Sequence, residues 1–332
     1  MIPPGKPIKL VVWDSNEVLG RAALVASLDE RGCLQSLLDS DDPERAQARL
    51  KRSGMADFFL CPQLGVQDKP AGLLRIAGEL NIALDTILVV DDEPHARQDM
   101  LEAHPAVRTL ASEKIADDIA MDPLAGPSLP GMEPRPRRLV YAEEQARRQS
   151  EREFAGPREA FLASLNMTIT VRRASLTDLR RVKELVTRTN QLGVTYSEAE
   201  LTTLLSSPDR ECWLVSLEDR FGDCGQVGFV QLAISAPCWT LELFLFSCRV
   251  LPRGVDTIVL NALLLRARAA HVRLRAQFRL TRRNESLWSA YQEAGFVPLT
   301  SDADRHVLEH PLVSIPEHPS PVRLRGAWTD GD

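Results

Sequence analysis

The sequence predicts two domains in tandem, a parallel-sheet α/β domain over residues 1–120 and an α+β domain over residues 166–310. Three observations predict it. Leu10-Val11-Val12-Trp13 runs into Asp14, and Ile87-Leu88-Val89-Val90 runs into Asp91-Asp92, so two short apolar stretches each end in a carboxylate. Runs of this kind suit strands buried on both faces of a parallel sheet. Residues 121–137 are crowded with Pro and Gly, as in a linker. From Met167 onward the pattern turns to alternation, starting with Met167-Thr168-Ile169-Thr170-Val171.

Taken in order, the first strand is followed by one short helix between Gly20 and Arg31, then by a strand near Cys33 to Asp39. Asp42-Pro43-Glu44 supplies an N-cap and a proline at the first helical position, predicting a helix over 42–53. A second helix is predicted over 71–81. Past the linker, residues 141–154 are charged and helix-prone, and Gly156-Pro157-Arg158-Glu159 opens another helix to about Leu165; both are expected to be a solvated connector within 121–165. The second domain then reads as a strand, helices over 178–189 and 198–206, strands over 212–217, 225–235 and 239–248, a long helix over 256–270, a strand over 274–280 and a helix over 285–294. Residues 311–332, with Pro316, Pro319 and Pro321, are expected to form a flexible tail.

Composition bounds the function. With 332 residues, 44% of them hydrophobic and 26% charged, two cores are the natural division. No run of about 18 apolar residues occurs, so no membrane-spanning helix is expected. Met1 to Lys6 lacks the apolar region of a secretory signal, and a cytoplasmic location is expected. The six cysteines include no Cys-x-x-Cys pair, against a zinc knuckle or a disulfide framework. A net charge of −6 argues against nucleic-acid binding as a main role.

Two constellations carry chemistry. If the strands ending at Asp14 and at Asp91 and Asp92 are parallel neighbours, three carboxylates converge on one crevice, and Asn16 lies beside them. A magnesium ion, held by few carboxylates plus water and phosphate oxygens, would relieve their repulsion. Lys69, before the helix over 71–81, could add positive charge for a phosphate; a lone strand ending in Asp would more simply be structural. The second constellation is Cys248-Arg249-Val250-Leu251-Pro252-Arg253-Gly254-Val255-Asp256, which joins a strand to the long helix. Amides at a helix start, beside Gly254, Val255 and the arginines Arg249 and Arg253, suit a pyrophosphate; a plain turn would explain the same residues.

Asp14, Lys69 and the Asp91-Asp92 pair resemble the haloacid dehalogenase (HAD) superfamily, which implies an aspartate nucleophile at Asp14 and a catalytic Lys69. The sequence departs from that pattern. Asn16 stands where the superfamily has an acid–base Asp, Val18 where it has Thr, and Asp39 where a Ser or Thr binds phosphate. An amide can neither protonate a leaving oxygen nor activate water, so phosphoryl hydrolysis is expected to be impaired.

The second domain resembles the GNAT acyltransferase fold. That resemblance implies coenzyme A or a phosphopantetheine arm at the loop of Arg249, Arg253, Gly254 and Val255, pantetheine contact from Asn284, and a thiolate-protonating Tyr291. Tyr291 would serve equally as a packed aromatic. Arg188-Thr189-Asn190-Gln191-Leu192, Leu217-Glu218-Asp219-Arg220-Phe221-Gly222-Asp223, Ser247-Cys248-Arg249-Val250 and Asp91-Asp92-Glu93-Pro94 with Arg97 together resemble the FkbH-like proteins of polyketide and nonribosomal peptide biosynthesis, over nearly the whole chain.

The fold implied is a HAD-like parallel sheet domain followed by a GNAT-like domain. The activity implied is transfer of a glyceryl-type acyl group from a phosphorylated or acyl donor to the phosphopantetheine thiol of an acyl carrier protein. Arg249, Arg253 and Arg283 would meet the carrier's acidic surface. Leu38 stands where glyceryl-loading relatives carry a cysteine, so Cys248 is the candidate to hold the acyl group, although a strand-end cysteine is also commonly just buried. A carrier-binding module without chemistry and a small-molecule phosphatase are the alternatives.

Overall fold

A computed structural model describes residues 6–115, 136–188, 196–247, 249–278, 285–301, 306–316 and 322–328. The contacts divide these into two units, the first running to Arg147 and the second from Arg148. No helix among the described residues is long and apolar enough to cross a membrane.

In the first unit, β1 (Leu10–Trp13), β2 (Leu34–Asp39), β3 (Gln63–Leu64), β4 (Ile87–Val90) and β5 (Arg108–Leu110) form a parallel sheet in the order β3-β2-β1-β4-β5. Alternate residues of β1 enter different cores: Val11 and Trp13 join Leu37, Leu88 and Val90, while Leu10 and Val12 join Leu34, Ile87 and Val89. Both faces are therefore covered, which explains why these strands read as unbroken apolar runs. The chain steps outward from β1 to β3, then returns to β4 on the other side of β1. That reversal opens a crevice at the carboxyl ends of β1 and β4, where Trp13 pairs with Val90 and the amide of Asp14 donates to the Val90 carbonyl at 3.0 Å.

The helices are α1 (Ala22–Glu30), α2 (Pro43–Ser53), α3 (Lys69–Leu80) and α4 (Pro94–Ala103). Asp42 and Asp68 cap α2 and α3 through bonds from the amides of Arg45 and Ala71, at 2.9 and 3.0 Å. The expected linker over 121–137 falls almost wholly outside the described residues. The helices after it, α5 (Arg137–Glu153) and α6 (Arg158–Ser164), are not a solvated connector: Val140 and Arg147 are buried, Arg138 pairs with Asp29 at 2.9 Å, and Phe161 lies in the core of the second unit. Arginine stems cover apolar surface while their heads find partners, so the charge-rich sequence understates this burial.

The second unit is built on β6 (Thr168–Arg173), β7 (Arg210–Asp219), β8 (Gly222–Ser235), β9 (Cys238–Phe246), β10 (Arg273–Phe278), β11 (Val297–Ser301), β12 (His306–His310) and β13 (Arg323–Gly326), in the order β11-β12-β10-β9-β8-β7-β6-β13. Helices α7 (Leu179–Arg188) and α8 (Glu198–Ser206) precede β7; α9 (Val255–Ala269) and α10 (Glu285–Glu293) flank β10. Val182, Leu185 and Leu201 pack on one face against Leu214, Phe229, Leu243 and Leu245. Helix α9 fills the other face with Val259, Leu260, Leu263 and Leu264 against Val215, Val230 and Leu241.

Strands β11 and β12 carry no signal that sequence reading caught. The expected flexible tail is a further correction, because β13 pairs in parallel with β6 and Trp328 is buried in edge-to-face contact with Trp213 at 5.5 Å. The open edge of β6 offers unpaired backbone groups, and a short segment of the chain's end satisfies them.

His310 ends β12 with both ring nitrogens engaged. The Leu312 amide donates to Nδ1 at 2.9 Å, so the proton lies on Nε2, 2.7 Å from the Ala294 carbonyl. Burial lowers the pKa of this imidazole, against the opposing pull of the Ala294 carbonyl. The unfolded chain then binds the extra proton more readily. The contribution is complete above the ordinary histidine value of about 6.5 and lost as pH falls through the lower folded value. Thermal melts between about pH 7.5 and 5 should show a steeper loss for the native chain than for His310→Gln.

Candidate functional site

The crevice of the first unit brings together most of what the sequence predicted there. Lys69, the first residue of α3, sets its Nζ 2.9 Å from Asp14 Oδ2 and 2.6 Å from Asp91 Oδ2. Burial lowers the lysine's pKa, but hydrogen bonds and charge from Asp91 and Asp14 outweigh it, and the net shift is upward. The amine is thus held charged. Asp14 Oδ1 accepts from the Asn16 amide at 3.0 Å and Asp91 Oδ1 from the Glu93 amide at 2.9 Å, while Arg97 donates to the Asp91 carbonyl at 2.6 Å.

Asp92 does not join them. Its Oδ1 accepts from the Ser112 amide at 2.9 Å. Bonds from the Ser112 side chain and amide hold its carboxyl below the usual range, against slight desolvation.

Two of the three departures from the HAD pattern, Asn16 and Asp39, meet at one residue that sequence reading missed. Arg49 of α2 donates to Asn16 Oδ1 at 2.7 Å, to Ser15 Oγ at 3.0 Å and to Asp41 Oδ2 at 3.0 Å, and lies 3.6 Å from Asp39 Oδ2. Ser15 also donates to the buried Asp39. Asp39 therefore faces a guanidinium, not an approaching phosphate. Its unexplained negative charge beside Asp41 was the signal that a cation had to lie nearby.

The expected magnesium set of Asp14, Asn16, Asp91 and Asp92 does not fit this geometry. Asp14 and Asp91 share an ammonium, the amide oxygen of Asn16 is engaged by Arg49, and Asp92 is turned to Ser112. Among the described residues no group of three or more carboxylate, imidazole or thiol side chains could hold a metal ion.

In the second unit, β9 and β10 run parallel and pair from Arg273 with Cys238 to Ala276 with Leu241. Beyond Leu241, residues 242–246 of β9 have no partner in β10 among the described residues, so the strands form a fork. The loop after β9 leads into α9 through Gly254, whose φ of 69° is left-handed and suits a residue without Cβ.

Arg253 is turned into the protein. Its side chain is buried, donating to Asp219 Oδ2 at 3.0 Å and to the Arg249 carbonyl at 3.2 Å, with Cys224 Sγ at 3.4 Å. It holds the loop to the β7–β8 turn and is no phosphate ligand. Val255 is wholly buried, whereas Arg249 is partly exposed. Tyr291 packs 6.1 Å from Phe244 and 5.2 Å from Phe296, and burial drives its pKa far up, so the hydroxyl keeps its proton across the working range. Cys248, Arg283 and Asn284, like the stretch 189–192, lie outside the described residues. Of the described thiols, Cys212 is pushed up to about 11 by burial, despite Arg173 and Arg210 nearby, and is not a nucleophile at neutral pH.

No family model matches the chain, and no curated protein matches it. Three solved structures that match align with under half of it. The PaiA N-acetyltransferase of Thermoplasma acidophilum, solved with coenzyme A, is 18% identical, covering 43% of this chain and 98% of that one at a TM-score of 0.34. The ribosomal-protein alanine N-acetyltransferase of Escherichia coli is 16% identical, covering 45% and 97% at 0.36. An acetyltransferase of the GNAT family from Staphylococcus aureus is 10% identical, covering 43% and 99% at 0.35. A likeness of this size decides neither family nor activity.

Sequence reading also passed over Asp256 in the first turn of α9. Its carboxyl sits at the start of the helix, where the first-turn amides stand. Burial raises its pKa, those amides oppose the rise, and the charge of Glu293 adds to it. An acid at the start of a long predicted helix was legible as its dipole complement.

Proposed function

We propose that the second unit transfers an acyl group to a pantetheine thiol, as the resemblance to GNAT-like and FkbH-like proteins implies. The acceptor is the phosphopantetheine arm of an acyl carrier protein, and the acyl group is of the three-carbon, glyceryl type. The observation that carries this reading is the fork between β9 and β10. Among the described residues the edge of 242–246 has no partner in β10, and its backbone donors and acceptors would suit the amides of an extended pantetheine arm, as a strand would add to a sheet.

In the first unit the HAD-like residues are disposed to hold one another, not to hydrolyse a phosphate. Asp14 is ion-paired and Asn16 is held by Arg49, and no step is assigned to a metal. That unit is read as a HAD-like domain impaired for phosphoryl transfer.

Intact-mass measurement of a holo carrier protein tests the whole reading. Incubated with this protein and a three-carbon acyl donor, the carrier should gain the mass of the acyl group, and the gain should need its pantetheine arm. A carrier that binds and gains no mass from any such donor would replace this reading with the second one, a carrier-binding module without chemistry. The burial of Tyr291 favours that second reading, since a hydroxyl sealed in the core cannot reach a leaving thiolate. A small-molecule phosphatase is disfavoured by Asn16 and Asp39, both engaged by Arg49.

A further inference from the structure

A polar cluster stands at the apex of the fork, on the face of the sheet that α7 and α8 cover. Gln231 of β8 pairs with Leu243 of β9 and Leu232 with Leu241, so Glu242 is the extra residue of a bulge. A bulge re-aims the side chain it carries, and Glu242 is also the first residue of β9 beyond its pairing with β10. Its carboxylate accepts from Arg210 Nε and Nη2 at 2.9 and 3.3 Å and from the side-chain nitrogen of Gln231. Arg210 and Gln231 stand two residues from Cys212 and Phe229, which pack beneath α7 and α8. Gln231 forms the floor: it is 2% exposed, and its Oε1 has no partner among the described residues. Glu242 and Arg210 keep 25% and 36% of their side chains exposed, so the cluster opens to solvent above that floor. A buried amide oxygen without a donor is costly, and a carboxylate has about four acceptor positions, so both groups call for a further donor.

We propose that Glu242, Gln231 and Arg210 form the subsite that recognises the hydroxyl groups of a neutral hydroxyacyl unit borne on the pantetheine thiol. Strands β9 and β10 part beyond Leu241 and Ala276, so an arm tethered to a carrier enters from the open end and its thiol reaches the apex, beside Glu242. Hydroxyl groups there donate to Gln231 Oε1 and to the Glu242 carboxylate. A plain alkyl acyl group leaves the Gln231 oxygen unpaired, and a site built for hydroxyl bonds rejects an analogue that lacks them. An anionic acyl group is rejected for a different reason. Arg210 is already neutralised by Glu242, and a second carboxylate would meet like charge with no cation to spare. The inference rests on the acyl-transfer reading, because the thiol it places is the one that reading brings to the fork.

Calorimetric titration of the full chain with the glyceryl, propionyl and malonyl thioesters of pantetheine tests this, with free pantetheine as the reference. The native protein should bind the glyceryl thioester about tenfold more tightly than the propionyl one, and more tightly than the malonyl one. Gln231→Met, close in size and without the unpaired oxygen, should bring the ratio of glyceryl to propionyl affinity close to unity. Glu242→Gln keeps the length of the side chain and leaves Arg210 without its counter-charge, so the malonyl thioester should gain on the glyceryl one. This second variant, at a partly exposed position, guards against a core disturbed by the first. Native protein that binds the glyceryl and propionyl thioesters alike, or preferences that survive both substitutions, overturns the subsite alone. Native protein that binds neither pantetheine nor any of its thioesters overturns the acyl-transfer reading, and this inference with it.

Discussion

Arg253→Met is expected to cost the second unit about 3 kcal/mol, visible as a lower urea midpoint, because it removes the charge facing a carboxylate with no exposure of its own. The side chains of Arg253 and Asp219 are 6% and 0% exposed, so water cannot take over when the guanidinium goes. Asp219 keeps the amide of Phe221 at 3.0 Å, a dipole where a full charge stood. The same change frees the Arg249 carbonyl and the loop that leads into α9. Arg253→Lys should recover only part of the loss, since a single ammonium cannot reach both Asp219 and that carbonyl. An unchanged midpoint in Arg253→Met would return Arg253 to the ligand-binding part that the sequence suggested for it.

Lys69→Met is expected to produce the second large effect and to create a response to magnesium. In the native chain one ammonium lies between Asp14 and Asp91, with side-chain exposures of 12%, 13% and 6%. Removing it leaves two like charges facing each other, and the melting temperature should fall by about 5 °C or more. Millimolar magnesium should then restore part of the loss, as a ligand that binds only the folded form. The native protein, which already holds its own cation, should melt at the same temperature with magnesium or with a chelator. Saturable stabilisation of the native chain by magnesium would show that Lys69 yields to a metal and would reinstate the predicted ligand set.

How far the site was legible varies with the range of the interaction. Asp14, Lys69 and Asp91 were found from sequence because each sits at the end of an element that announces itself, two apolar runs and a capped helix. Arg49 was missed because nothing local marks it: on α2 it is one of several basic residues, and only the fold brings it to Asn16 and Asp39. Asp92 was assigned with its neighbour Asp91, yet adjacent residues at a strand end point in opposite directions, and it bonds to Ser112 instead. Arg253 was read as a ligand from its place beside a glycine, while its partner Asp219 lies 34 residues earlier in the chain. Tyr291 fitted a catalytic position and a packed one equally well, and the structure places it among Phe244 and Phe296.

By itself the sequence determined the strands ending at Trp13, Asp39 and Val90, the order of elements from β6 to α10 and the long helix that follows β9, because apolar periodicity, caps and turns act over a few residues. Tertiary structure alone decided which charges neutralise which, that β13 closes the edge of β6, and that the loop into α9 turns its donors inward. Ion pairs and edge pairings join residues far apart in the chain. Their partners depend on which elements become neighbours, and no local pattern carries that information.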